Sequence, residues 1–454
     1  MVRERAISPV ELVEAHLRQI ETHNPRLNAF VTVRAEEALA AARHAETAVQ
    51  RGEVLGLLHG VPITVKDSFD MAGLPTLCGS RFRSGHRAAA DATAVARLRG
   101  AGAIILGKTN TPELLFHYES DNFITGRTNN PWDVERTAGG SSGGEAAAIA
   151  AYCSAGGIGS DGGGSIRIPA HFCGIAGLKP TPGRVPGTGH FPAIGHPGGL
   201  LGVAGPMARS ARDVQLLFAA LAGYDSQDPF SAPLPLRVPD THGLRVGVWR
   251  QFYDVPVQAS IHAAVDKASQ SLIDLGIPSE PFEPAGLERA PNVWWFFFGQ
   301  LPAPSLRELI EGRRQDAHWT VTEFLDQALQ ERPPDVNDLL KNLAVRDRMR
   351  AHLLKQMERF PVLLMPVCGI TAFPHRARSW PTAGKSIGLF QAMMPSTFVN
   401  LLGLPAMVIP FGMSDDGLPV GIQLVGRPFE EELLIDLAVR LERVRGPFAG
   451  PRGF

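Results

Sequence analysis

An α/β fold is predicted by three features of the sequence. Short apolar runs alternate with amphipathic helical segments, Gly and Pro punctuate the boundaries, and strand-like and helix-like periods follow one another along the chain. The first helix is signalled by Ser8-Pro9-Val10-Glu11, an N-cap, a Pro at the first helical position and a Glu at N3. Leu12, Val13, Leu17 and Ile20 follow at helical spacing. An Ala-rich helix is predicted over 35–50, and a buried strand over 61–65. Residues 91–101 are helical with Gly102 as the stop, and Ile104-Ile105-Leu106 is the next strand. The run Gly-Glu-Ala-Ala-Ala-Ile-Ala-Ala from Gly144 is helical. Ser210 and Asp213 open a capped helix ending at Gly223, and the Pro-rich 225–240 reads as a connector. A strand follows at 244–248, then a helical stretch at 286–360 holding Trp294-Trp295-Phe296-Phe297-Phe298. Strands at 361–370 and 405–411 and a helix at 431–443 close the chain.

The chain has 454 residues, 44% of them hydrophobic and 20% charged, enough apolar material for a large core. Lys plus Arg number 44 against 45 Asp plus Glu, so no global field draws nucleic acid or an anionic membrane, and a small-molecule substrate is expected. The amino-terminal stretch is charged and amphipathic, without the apolar core of a secretory signal, which predicts a cytoplasmic protein with no membrane partner. Cys78, Cys153, Cys173 and Cys368 are scattered without a C-x-x-C pair, the pattern of buried free thiols, and no metal site is expected.

Three motifs imitate known chemistry. Gly102 to Thr109 matches the P-loop pattern, but its middle residues are the strand itself, with β-branched side chains that seek burial. Gly157-Ile-Gly159-Ser-Asp-Gly162 matches a dinucleotide fingerprint, yet the Ala-rich stretch upstream reads as helix and Pro169 spoils a long helix downstream. Gly139-Gly-Ser141-Ser-Gly143 matches a nucleophile elbow that would use Ser, Asp and His, with His190 or His375 as partner. The elbow needs a strand directly before it, and Thr128 to Asp133 is a turn sequence unable to run as a central strand.

Three other segments make a stronger set: Val-Lys66-Asp at a strand end, Gly139-Gly-Ser-Ser-Gly-Gly144, and Asp161-Gly-Gly-Gly-Ser165-Ile-Arg167. A Ser hydroxyl is a weak nucleophile and needs a base beside it. A Lys serves only when neutral, and burial favours that form. Successive glycines can turn backbone N–H groups toward one point, a nest for an oxyanion.

With these blocks in view, the chain resembles the amidase signature family of serine hydrolases. The resemblance extends over LHGVPITVKDSFDMAG, AGAIILGKTNTPEL, the Gly/Ser block, GSDGGGSIRIPAHFCGIAGLKPTPGRVP, GPMARSARD, NLLGLPAMVIPFG and GLPVGIQLVG. It implies a large mixed β-sheet flanked by helices on both faces and a single domain over 1–454. Within it, 60–190 would form the catalytic core and 286–360 a helical pocket or lid segment. It further implies Ser165 as nucleophile, Ser141 as the bridging serine on a cis peptide bond, and Lys66 as base. Gly162, Gly163, Gly164 and Ser165 would be oxyanion donors, and no cofactor would be needed. Ser142 is expected to brace the site, and Asp161 with Arg167 to form a structural pair. Two departures are Ser160 before Asp161, where Thr is common, and Gly162, where a bulkier residue is common; neither removes a catalytic atom. The chain starts near the first family helix, so a membrane-binding segment upstream of it is not expected.

Candidate pocket walls are Tyr118 to Ile124, the aromatic run at 294–298, and Phe390 to Met394 with Phe398. Tyr118, Phe123, Gly140, Phe390, Met394 and Phe398 are the named contacts. Apolar walls favour aryl or alkyl amides; a carbamate or an ester presents the same carbonyl. The rival reading is an amidotransferase subunit that hydrolyses glutamine beside a partner. The sequence leaves a homodimer open.

Overall fold

Consecutive side chains of the strand Ile104–Thr109 leave on opposite faces, and both faces are buried. Ile105 joins the core layer of Ile63 and Val65, whereas Ile104 and Leu106 join the layer of Ala146 and Ile149. Burial on both sides is what makes such a strand apolar throughout rather than alternating. The computed structural model describes residues 1–194 and 199–454. Its eleven-stranded sheet takes β1 (Phe30–Val33), β2 (Pro62–Lys66), β3 (Ile104–Thr109), β4 (Gly156–Asp161), β5 (Ala176–Lys179) and β6 (Val203–Ala208). It continues with β7 (Val246–Val248), β8 (Ser279–Pro281), β9 (Val362–Pro366), β10 (Ala406–Met413) and β11 (Pro419–Gly426).

The spatial order is β1-β3-β2-β4-β6-β5-β10-β11-β9-β7-β8. β2 runs parallel to both β3 and β4, and β9 parallel to β7. Antiparallel pairs join β4 to β6 and β10 to β11, so the sheet is mixed, as the resemblance implied. One face is covered by helices Thr93–Gly100, Ala211–Leu221, Ala259–Asp274 and Glu431–Arg445. The other is covered by Pro9–Leu27, Ala35–Arg51, Gly143–Ala150 and Arg167–Cys173. The first helix carries the expected capping box, Ser8 with Glu11.

Several strands lie outside those expected from local pattern, β4, β6 and β8 among them. β4 reads Gly-Gly-Ile-Gly-Ser-Asp, and its glycines hide it from propensity. They are there for space: a Cβ on Gly157 would sit 2.1 Å from Glu145 Oε1 and 2.2 Å from the Thr64 carbonyl of β2. The expected helical stretch at 286–360 is broken into Ala290–Trp295, a π-helical turn at Phe296–Gln300, Ala303–Leu309, Trp319–Ala328 and Val336–Gln356. The turn sequence at 128–133 forms a two-stranded hairpin, Asn129–Asn130 with Asp133–Thr137, outside the main sheet.

Candidate active site

Parallel pairing of β2 with β4 sets Thr64 beside Gly157 and Val65 beside Ile158, so the carboxyl ends of the two strands lie side by side, with β4 running on past Lys66 to Asp161. Lys66 stands at the first end, Ser160 and Asp161 at the second. The loop leading into helix Gly143–Ala150 brings Ser141 and Ser142 to the same place. The glycines after β4 carry the chain over to Ser165 and the helix Arg167–Cys173.

Lys66 is fully buried. Its Nζ lies 2.7 Å from Ser141 Oγ and 3.0 Å from Ser160 Oγ. Burial lowers its pKa from 10.5 to about 7, against the pull of Asp161 and Glu145 upward. The Gly140–Ser141 peptide bond is cis. Ser142 Oγ donates to the Ser160 carbonyl at 3.3 Å and ties the serine loop to β4. Ser165 and Ser141 share the wall of one cavity, and the Ser165 hydroxyl has no hydrogen bond among the described residues.

Asp161 organises the glycine loop. Burial pushes its carboxyl upward, but Arg167, at 3.0 Å through both Nε and Nη2, holds it well below the usual carboxylate range. Arg167 also donates to Gln423 and Asn400, so each nitrogen of the buried guanidinium has an acceptor. Asp161 accepts from the N–H of Gly164 at 2.7 Å and of Ile166 at 3.0 Å.

The bond from Gly164 corrects one expectation. Gly164 cannot serve as an oxyanion donor, because its N–H is already given to Asp161. The N–H groups of Gly162, Gly163 and Ser165 donate to nothing among the described residues. Their carbonyl sides are pinned instead: Trp294 Nε1 donates to the Gly162 carbonyl, and the Tyr118 hydroxyl to the Gly163 carbonyl, each at 2.9 Å. A Cβ on Gly163 would come within 2.4 Å of the Trp294 ring.

Two cavities meet at Ser165. Ser141, Ser160, Gly162 and His190 line the first. Tyr118, Phe324 and Phe390 line the second, which is aromatic, and Phe116 and Phe298 border both. Of the contacts named from the sequence, Tyr118 and Phe390 line the second cavity. The other four expected contacts line neither. Phe398 is fully buried in the core against Trp249 and Phe252, with ring centroids 5.6 and 5.7 Å away. Phe123 lies on the surface between Arg81 and His318, and Met394 faces an outer groove on the far side of Phe390. Gly140 is buried behind the serines, where a Cβ would meet the His117 carbonyl at 2.5 Å.

Ser160 has no role in the site as read from the sequence; only the pairing of β4 with β2 places it beside Lys66. Trp294 falls in the aromatic run expected to wall the pocket, and His190 is named by the sequence only as the partner of a nucleophile elbow. The P-loop mimic is structural: Gly107 admits the Thr32 carbonyl of β1, 2.0 Å from where a Cβ would sit, and Lys108 pairs with buried Asp67 at 2.7 Å.

Comparison with known proteins fits this geometry. The Amidase family profile matches residues 11–435. The chain is 34% identical to a glutamyl-tRNA(Gln) amidotransferase subunit of Moorella thermoacetica, covering 98% of this chain and 94% of that one. It is also 34% identical to indoleacetamide hydrolase of Bradyrhizobium diazoefficiens, covering 99% and 86%. Its fold superposes with a TM-score of 0.87 on the crystal structure of a bacterial aryl acylamidase of the amidase signature enzymes, at 30% identity over 98% of this chain and 95% of that one.

Proposed function

The chain belongs to the amidase family, hydrolases of carbon–nitrogen bonds, and from that premise we propose that it cleaves small, mainly apolar aryl or alkyl amides through Ser165, Ser141 and Lys66. The observation that carries this reading is the contact of a buried lysine, lowered to about 7, with a serine that shares a cavity wall with Ser165. Neutral Lys66 takes the proton of Ser141 while Ser141 takes that of Ser165. Ser165 Oγ attacks the carbonyl carbon, and the N–H groups of Gly162, Gly163 and Ser165 receive the oxyanion. The relay run backwards protonates the departing nitrogen, and water then cleaves the acyl-enzyme.

The aromatic cavity supports an apolar acyl group. The one carboxylate in either wall, Asp161, is already satisfied by Arg167, which leaves no ionic partner there for a charged substrate among the described residues. Carbamates and esters present the same electrophile and fall within the proposal. The identity to an amidotransferase subunit supports a second reading, glutamine hydrolysis beside a partner chain. No helix among the described residues is long and apolar enough to cross a membrane, and we place the enzyme in the cytoplasm.

The test is a fluorophosphonate label together with a panel of anilides, carbamates, esters and glutamine. Labelling at Ser165 with turnover of anilides and none of glutamine is expected. Labelling confined to another residue ends the assignment of the nucleophile, and glutamine turnover that exceeds anilide turnover favours the second reading.

A further inference from the structure

His190 lines the same cavity as Ser141 and Ser165. Its Nδ1 lies 2.8 Å from the Pro192 carbonyl, an atom that can only accept, so Nδ1 carries the proton and Nε2 is left a bare acceptor. Nε2 is buried and finds no hydrogen-bond partner among the described residues. A buried acceptor without a donor is costly unless something else supplies one. The ring is fixed by an edge contact with Phe69, centroids 4.8 Å apart, and by the backbone bridge between Phe69 and His190. Burial lowers its pKa to about 3, so the ring stays neutral across the working range.

The proton donor to the leaving group fixes which cavity receives that group. Ser141 belongs to the cavity of His190 and is absent from the aromatic one. The leaving nitrogen therefore comes to rest beside His190, with the acyl part among the aromatic rings. An amide nitrogen has a single lone pair once the tetrahedral intermediate has formed, and that pair must face Ser141 to be protonated. An N–H held on the opposite side sets the nitrogen in that orientation. An ester oxygen has two lone pairs and no hydrogen, and needs no such hold.

We propose that His190 reads the leaving group: its Nε2 accepts a hydrogen bond from the N–H of the scissile amide, which selects amides bearing hydrogen on nitrogen over esters of the same acid. This rests on the assignment of Ser165 and Ser141 to the reaction. His190 is then a specificity-determining residue of the site.

The experiment compares an anilide and a phenyl ester of one aromatic acid on the wild type, His190→Phe and His190→Gln. The phenyl ring keeps the packing on Phe69 and removes the acceptor; the glutamine amide restores an acceptor oxygen. With His190→Phe, kcat/KM on the anilide is expected to fall roughly 10- to 100-fold while the ester changes by less than about 3-fold. With His190→Gln, the anilide-to-ester ratio is expected to return to within about 10-fold of the wild type. Parallel losses on both substrates in either variant would assign His190 to packing and overturn the proposal, as would an unchanged anilide rate in His190→Phe. Fluorophosphonate labelling of the wild type keeps the two failures apart. An unlabelled Ser165 sinks the nucleophile assignment and the proposal with it; a labelled Ser165 with parallel losses sinks only the proposal.

Discussion

Titrating the base is the most direct probe of this site. Lys66 acts only as the free amine, and burial brings its pKa from 10.5 to about 7. At pH 7 roughly half of the molecules then carry a neutral Lys66, against roughly one in 3,000 for an unperturbed lysine. On an anilide, log kcat/KM is expected to rise with unit slope below pH 7 and to level off above it, with the rate at pH 5 roughly 100-fold under the plateau. Two other buried groups sit near the same value. Glu145, raised to about 7, lies between Thr64 and Thr109, and Lys179, lowered to about 7, donates to the Pro180 carbonyl. Variants separate them. Glu145→Gln removes a carboxylate that draws the Lys66 pKa upward, so the midpoint should move to lower pH with the limb retained. Lys179→Met should leave the limb in place. A wild-type profile that keeps climbing to pH 10 would mean an ordinary lysine and refute the reasoning. Loss of the limb in Glu145→Gln would transfer the titration to Glu145.

Lys66→Met should be more stable than the wild type at pH 6. The folded pKa lies below the unfolded one, so the buried amine destabilises fully below about pH 7 and progressively less toward 10.5. The ceiling is on the order of 5 kcal/mol before lost contacts are counted; melting temperatures at pH 6 and 9 check it, and a gain independent of pH contradicts it. Arg167→Met leaves the Asp161 carboxylate buried without its partner and should cost about 3–5 kcal/mol in urea unfolding. A cost below 1 kcal/mol would show that the pair contributes little. Trp294→Phe and Tyr118→Phe each release one carbonyl of the glycine loop and should lower kcat about 10-fold, with KM nearly unchanged. A rise in KM alone would make both residues substrate contacts only.

The elements legible in the sequence were those whose burial leaves a local period or a cap. Ser8 and Glu11 announce the first helix, and the β-branched Ile104 and Ile105 give β3 away. The strand that matters most to the site, β4, was not legible, because close approach to Glu145 and Thr64 demands the glycines that erase a strand's signature. The aromatic run divides for a reason that no one-dimensional pattern carries: Phe296 is buried in the core away from the catalytic cavities, while Phe297 and Phe298 line the cavity of Ser165 and Trp294 stacks on Phe298 beside the glycine loop, across a π-helical turn that shifts the period. Phe398 was misplaced on composition alone, since an aromatic side chain serves a core and a pocket equally well. The triad segments were legible as chemistry in tight turns, yet only the pairing of β2 with β4 supplies Ser160.

The same burial explains why a lysine suits the base position better than a histidine. His117 and His171, both buried, and the half-buried His190 are lowered by desolvation to about 4, 4 and 3. Such rings stay neutral at pH 7 but are too weakly basic to hold a serine proton in a transition state. A lysine begins about four units higher, and a comparable desolvation leaves it at about 7, where neutrality and basicity are balanced. An elbow built from Ser141 and a buried His would have its base spoiled by the environment that tunes Lys66. The end of the sheet where Lys66 meets Ser160 therefore selects an amine as base, and it leaves Nε2 of His190 able only to accept a hydrogen bond, its Nδ1 proton being given to the Pro192 carbonyl.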